Sequence, residues 1–290
     1  MSAVKKTILF IFFFALSRYF SQPQQDSLIT FKIGNGQSPH TLKKNELLCD
    51  LGLLFGEQTN AIIGAFDGKV LNDVNLNCNY GLVDNLSIGI GISNINSLIN
   101  GTLKYRILNQ SSTTKIPLSI AYYGSMSYTF KKTSDLYANV IKTFDTKEAH
   151  RINYFHQIIL SSKPNSYFFV EVMPTYVYRN FIKESVNINN SYTDVNGFFS
   201  LGFIAKIKLS KNVSAFGNYF YNFANYYKNN PTIFNPMSIG FEANIKQNKF
   251  SIYATNANGL IENNYIAQTS SSWKNGQIKI GLGFSRLFAL

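Results

Sequence analysis

The chain is short of charge. Asp, Glu, Lys and Arg make up 14% of its 290 residues, against roughly 25% in soluble domains. Cysteine occurs twice and histidine three times, too few for a disulfide framework or a metal cage. Cys49 and Cys78 lack C-x-x-C spacing, and His40, His150 and His156 are scattered, so no metal or other cofactor is expected. Acids are scarcer than bases, 15 against 27. Long apolar runs are missing too: the one at Thr7–Leu16 falls well below the roughly 20 residues of a spanning helix. A multi-span helical membrane protein is excluded by this, and by a hydrophobic fraction of only 45%. Aromatics at 15% exclude a disordered chain. Tyr and Phe amid many uncharged polar residues describe a β-rich protein instead.

The first residues have the form of a secretory signal. Lys5 and Lys6 precede the apolar run, and the pattern of a basic start, short apolar centre and early end predicts export. Residues 1–21 are assigned to the signal peptide, with cleavage near Ser21-Gln22. Removal takes Lys5, Lys6 and Arg18 and no acid, lowering the formal charge of +12 by three. An exported chain without a second long apolar segment enters a membrane only as a closed barrel, because lipid offers backbone groups no partners.

The mature chain alternates with period two. Leu86, Ile88, Ile90 and Ile92 oppose Ser87, Gly89, Gly91 and Ser93. Phe199, Leu201, Phe203, Ala205 and Ile207 oppose Ser200, Gly202, Ile204, Lys206 and Lys208. Residues 238–245 and 278–285 repeat the pattern, and weaker versions occur at 74–80, 102–108, 117–123, 152–160, 168–178, 213–223 and 249–256. With a first strand over 46–55, about twelve strands are expected. A soluble β-sandwich also alternates. Small residues on the polar face, lysines in mid-strand, and Tyr and Phe at the strand ends favour a membrane barrel. Tyr122, Tyr128, Phe130, Tyr176, Tyr178, Phe181, Tyr221 and Phe223 are assigned to its aromatic girdles.

Connection lengths alternate as well. Gly81–Asn85, Asn109–Lys115, Lys163–Ser166, Ser210–Asn212 and Lys246–Asn248 are short. The stretches near 56–73, 131–150, 182–195, 224–234 and 257–276 are longer, and only 94–98 breaks the rule. Outer-membrane barrels pair short periplasmic turns with longer external loops. The prediction is therefore an all-β, closed, antiparallel up-and-down transmembrane β-barrel over 45–290, with 22–44 as a flexible periplasmic lead-in, in the bacterial outer membrane. The apolar stretch Ala61–Phe66 in the first long loop is expected to fold against the rim or into the lumen.

Several motifs carry a family resemblance. Asn35-Gly36-Gln37-Ser38, Tyr80-Gly81-Leu82-Val83-Asp84-Asn85-Leu86, and Gly101-x-x-Lys104-Tyr105-Arg106-Ile107-Leu108-x-Gln110 come first. Pro117-Leu118-Ser119, Tyr154-x-His156-Gln157 and Met173-Pro174-Thr175-x-Val177-x-Arg179-Asn180 follow. Asn235-Pro236-x-Ser238-Ile239-Gly240-Phe241-Glu242, Thr255-Asn256 and Gly283-Phe284-Ser285-Arg286-Leu287-Phe288 complete the order. Over about residues 34–288 the chain resembles an uncharacterised outer-membrane β-barrel family of Bacteroidota-type bacteria, domain of unknown function five-seven-seven-seven. The resemblance implies a barrel and an outer-membrane location; it carries over no assigned activity and says nothing about cargo. Phe284 and Phe288 near the C-terminus are assigned as the signal read by the barrel assembly machinery.

Catalysis is not expected. His156 shares the outward parity of Tyr154 and Ile158, and no Gly-x-Ser-x-Gly elbow is present. Gly89-Ile90-Gly91 lies inside a strand and cradles no phosphate. The lysines are spread along the chain, and export removes nucleic acid as a partner. Cys49 and Cys78, on neighbouring strands with apolar-face parity, are expected as inert thiols. The inward charges are the informative set: Lys104, Arg106, Arg179, Lys206, Lys208 and Lys279 outnumber Glu171 and Glu242. A basic lumen favours anions; the same charges also suit a structural network that closes the lumen, and both readings stand. The first function expected is a monomeric narrow pore or transporter for small polar, preferentially anionic solutes, with outer-membrane lipid around it. The second is a non-conducting structural or interaction barrel that binds a partner through Tyr- and Asn-rich loops at 185–196 and 218–230. The third is a carrier of a hydrophobic ligand, lined by Ile204, Phe216 and Phe220.

Overall fold

The computed structural model describes residues 30–56, 71–111, 116–136, 147–182 and 194–290. The expected signal peptide and the Ala61–Phe66 stretch lie outside the described residues. A two-stranded hairpin comes first, β1 (Lys32–Ile33) and β2 (Gly36–Gln37). The barrel strands follow: β3 (Glu46–Phe55), β4 (Leu71–Val83), β5 (Leu86–Ser93), β6 (Leu98–Leu108), β7 (Ser119–Thr129) and β8 (Ile152–Ser162). The remainder are β9 (Phe168–Arg179), β10 (Gly197–Lys208), β11 (Val213–Asn222), β12 (Met237–Ile245), β13 (Asn248–Thr255) and β14 (Lys279–Ala289). Each of β3–β14 pairs antiparallel with its neighbours in sequence, and β14 pairs with β3, from Ile280↔Phe55 to Ala289↔Glu46, closing the barrel.

Alternation decides which side chains meet lipid. Ile90, Ile92, Met126, Ile239, Phe241 and Ile252 are each more than half exposed. Scattered exposed apolar residues are ordinary on a soluble protein, but a continuous belt of them is not. Ring pairs sit at strand ends, Tyr128–Phe130 at 5.0 Å, Tyr176–Phe199 at 4.9 Å and Tyr221–Phe223 at 5.1 Å between centroids. Tyr122 lies near the start of β7, and its hydroxyl meets His156 Nδ1 at 2.7 Å. Phe181 lies just beyond the end of β9 with its ring stacked on His150.

The inward face holds two different linings. β3–β6 carry a polar ladder in which Asn79 Nδ2 donates to Asp50 Oδ2 at 3.4 Å and Asn77 donates to Asn75. Gly91 faces this ladder because a Cβ there would collide with the amide oxygens of Asn77 and Asn100. β7–β11 present apolar groups instead: Tyr123, Phe155, Ile159, Met173, Val177, Phe198, Ile204, Phe216 and Phe220 are all buried in one cluster. That cluster closes over residues from outside the barrel wall, Ile33 of the hairpin and Leu260, Tyr265 and Ile266 of the β13–β14 loop.

The stretch 22–44, expected as a flexible lead-in, is thus different from residue 30 onward. Thr30, Phe31, Ile33, Asn35, Gln37, Ser38 and Leu42 are all buried. The reason is chemical: Phe31, Ile33 and Leu42 find apolar cover inside the barrel that a periplasmic tether lacks, and barrel side chains satisfy the segment's backbone carbonyls.

Candidate functional site

The site is the lumen, and the barrel wall fixes its side chains by strand parity. Lys104 projects inward from β6; its Nζ donates to Phe31 O at 2.7 Å and lies 3.5 Å from the Phe31 ring centroid. Lys206 projects from β10 and pairs with Glu242 of β12 at 2.7 Å, both side chains fully buried. Lys249 of β13 adds a second cation to that carboxylate at 3.4 Å and donates to Lys32 O at 2.5 Å. Gly34 N donates to Glu242 Oε1 at 3.0 Å. Three strands therefore hold the hairpin through one carboxylate and two of its carbonyls. Gly34 occupies the left-handed region, φ +55°, and a Cβ there would strike the Phe216 ring, so the turn requires glycine.

The other charges assigned to the lumen fall into distinct roles. Glu171 is buried on β9, and neither of its carboxylate oxygens has a hydrogen-bond donor among the described residues. Lys104 and Lys206 are the charges nearest in effect to it, yet both are turned to the hairpin and Glu242. Arg106 turns to the inner end, donating to Asp84 O at 2.9 Å, and Lys208 is half-buried at the end of β10. Arg179 pairs with Asp194 at 2.7 Å at the outer end. Lys279 donates to Asn258 Oδ1 at 2.7 Å and Ser271 Oγ at 2.5 Å, holding the β13–β14 loop.

That loop fills the outer half of the lumen. Leu260 N donates to Asp73 Oδ2 at 2.8 Å, and Ser93 Oγ donates to Asp73 Oδ1 at 2.6 Å. Asn222 Nδ2 reaches Ile266 O at 2.8 Å from the opposite wall. The loop and the hairpin then meet: Tyr265 donates its hydroxyl to Asn35 O at 2.8 Å, and Gln37 Nε2 donates to Glu262 Oε1 at 2.6 Å. Burial first, then Glu262 and Tyr253, push the Tyr265 phenol well above its usual value, so it stays a neutral donor. A cavity of about 30 Å³ remains at the inner end beside Phe31, Leu48 and Ser285, space for one or two waters. At the outer end a larger vestibule of about 490 Å³ opens above the loop.

Sequence reasoning missed Asp50, Asp73, Glu262 and Lys249. Parity alone places Asp50, Asp73 and Lys249 inward once their strands are drawn to the observed ends. Glu262 had no such signal, because a loop has no fixed period. Ile204, Phe216 and Phe220 are inward as expected, but Gly36, Gly34 and Tyr265 lie against them. The outward Cys49 and Cys78 are direct cross-strand partners with their sulfurs 2.6 Å apart. Phe284 and Phe288 lie on the outward face of β14, with Phe284 against Phe250 at 5.1 Å.

A closed ladder with an apolar outer belt defines a β-barrel of the bacterial outer membrane. Residues 30–288 match the family model of a membrane-bound β-barrel domain, domain of unknown function 5777, and the chain belongs to that family. No curated protein matches it. Among solved structures it is similar to the NanC porin, with 8% identity over 83% of this chain and 98% of that one, TM-score 0.48. The KdgM porin is 10% identical over 83% and 99%, TM-score 0.48. The TodX monoaromatic hydrocarbon channel is 8% identical over 92% and 96%, TM-score 0.43. These are likenesses of barrel form.

Proposed function

We propose that the chain is a transporter for small polar, preferentially anionic solutes whose lumen is closed at rest by two inserted segments. The carrying observation is their junction at mid-lumen, where Tyr265 bonds Asn35 and Gln37 bonds Glu262. Passage requires both segments to shift. Glu171 lowers the cost of such a shift: when the hairpin leaves, Lys104 loses Phe31 O, and the Glu171 carboxylate, which has no hydrogen-bond donor among the described residues, supports its charge. On the inner wall Lys104, Arg106, Lys206 and Lys249 then stand against Glu171, Glu242 and Asp50, and this small surplus of positive charge is what supports an anion preference. Phe284 and Phe288 serve as the assembly signal, and one chain forms the unit.

Single-channel recording in planar bilayers tests this. The native chain is expected to be silent or to flicker. A variant lacking residues 30–41, with 258–270 replaced by a Gly-Ser linker, is expected to conduct steadily with a reversal potential favouring anions. Steady conductance by the native chain, or a silent or cation-selective doubly shortened barrel, refutes the reading. The non-conducting alternative draws on a different observation, the vestibule that faces outward whether or not the lumen opens.

A further inference from the structure

We infer that Cys49 and Cys78 are a site of oxidative modification: they close a disulfide that staples β3 to β4, made in the periplasm before this face of the barrel meets lipid. They are the only cysteines in 290 residues, yet the strand register makes them direct partners, with their sulfurs 2.6 Å apart. Both are thiols in the structure, the reduced form of that bond. The backbone shows which kind of pair they make. Leu290 N donates to Asn45 O at 2.9 Å. Backbone groups of successive strand residues face opposite neighbours, so residues 47 and 49 turn theirs to β14. Leu287 N, donating to Gln247 O at 2.9 Å, gives the same phase: it faces β13, so Arg286, opposite Cys49, faces β3. Asn94 N donates to Val74 O at 3.2 Å, so residues 76 and 78 turn to β5. Cys49 and Cys78 therefore form a non-hydrogen-bonded pair, the kind with Cα atoms about 4.5 Å apart and side chains closest. A disulfide takes Cα separations of about 4.4–6.8 Å, which this pair meets.

The step is a two-electron oxidation, and its oxidant is a second disulfide, that of a dithiol–disulfide oxidoreductase in the periplasm, which the chain crosses to reach the outer membrane. One cysteine thiolate attacks a carrier sulfur, giving a mixed disulfide and a carrier thiolate. The other cysteine thiolate then attacks the chain's own sulfur in that mixed disulfide, closing Cys49–Cys78 and releasing the second carrier thiolate. Two protons leave the cysteines, and the carrier ends as a dithiol with two protons and two electrons more. The attacking species is charged and hydrocarbon does not support a lone charge, so exchange precedes insertion. With no third cysteine in the chain, no other internal pairing competes. The position gives the bond its use. Cys49 and Cys78 stand on the outward face among Leu47, Leu51, Leu76 and Tyr80, and β3 is the edge that β14 must find to close the barrel. A one-residue slip of β3 on β4 would turn its outward leucines inward; a covalent tie fixes that register. The inference goes beyond the transport reading and does not depend on it.

Thiol counting on the full chain in the outer membrane tests it. Cells are quenched in acid, the protein is dissolved in urea with N-ethylmaleimide to block free thiols, and half is then reduced before both halves receive a polyethylene-glycol maleimide. Two tags per chain are expected after reduction and none without it. Fewer than two tags after reduction in most chains, or chains joined to one another on a non-reducing gel, overturns the inference. The second measurement reads the staple. The native chain, oxidised or kept reduced throughout, is folded into vesicles and titrated with urea; the reduced barrel is expected to unfold at a lower midpoint. Equal midpoints overturn the stapling role. Neither measurement uses conductance, so failure here leaves the transport reading standing, and a failed conductance test leaves this inference standing.

Discussion

At the scale of single residues, Glu242 joins the hairpin to the wall. It takes charge from Lys206 and Lys249 and a backbone bond from Gly34. Removing one partner of a buried pair costs about 3–5 kcal/mol because the other charge is stranded. In Glu242→Gln the strand ladder is untouched, so the cost falls on the hairpin. A reporter cysteine at Asn35→Cys is expected to react with a water-soluble maleimide at least about ten-fold faster in that background; an unchanged rate refutes the anchoring role. His40 gives the hairpin segment a pH response. Burial, then Lys104, Arg106 and Lys43, lower its pKa from 6.5 to about 4. The closed state therefore binds fewer protons than a released one. Its stabilisation is complete above pH 6.5 and is lost as pH falls toward about 4. Labelling of the same reporter, taken relative to a free thiol at each pH because maleimide reacts with the thiolate, should accelerate as pH falls across that window, and His40→Gln should flatten the response. Parity in the sequence placed Lys104, Lys206 and Glu242 inward, but whether they line water or a filled interior depends on partners more than 30 residues away.

At the scale of elements, the barrel strands were legible and the inserted segments were not. Ten-residue strands repeat their alternation often enough to show which face meets lipid. The hairpin strands are two residues each, too short for any period, and its bonds run to Glu242, Lys249 and Tyr265, some 200 residues away. The β13–β14 loop looked like a long external connection because length alone does not say which way a loop folds. Its own anchor is Asp73, which accepts from Leu260 N and Ser93 Oγ. Asp73→Ala leaves a buried N–H without a partner at a cost of about 1–3 kcal/mol. Proteolysis of the loop in the folded barrel is expected to speed up accordingly, while the barrel's heat resistance in detergent gels stays near native. Equal protection in both proteins refutes the anchor.

At the scale of the whole molecule, two consequences follow from a filled barrel in a bilayer. The first concerns depth. Ile90 stands mid-strand on β5 and Leu82 near the inner turn, both outward. Arginine at a bilayer midplane costs about 2–4 kcal/mol and near an interface about 0–1. Ile90→Arg should therefore destabilise the vesicle-embedded barrel far more than Leu82→Arg in urea titration, whereas a water-exposed sheet would tolerate both alike. The second concerns how the two inserted segments combine. They occupy the lumen end to end, the hairpin at the inner half and the loop at the outer half, so they act as resistances in series. Removing one leaves the current limited by the other. Each single deletion is expected to raise conductance slightly, and the double deletion to raise it by much more than the sum. An additive pair would mean two parallel leaks around the segments rather than one path through them. A single deletion that alone gives the full current would mean the remaining segment departs with its partner; the Tyr265–Asn35 and Gln37–Glu262 bonds would then be what holds it in place, and Tyr265→Phe alone should open the lumen.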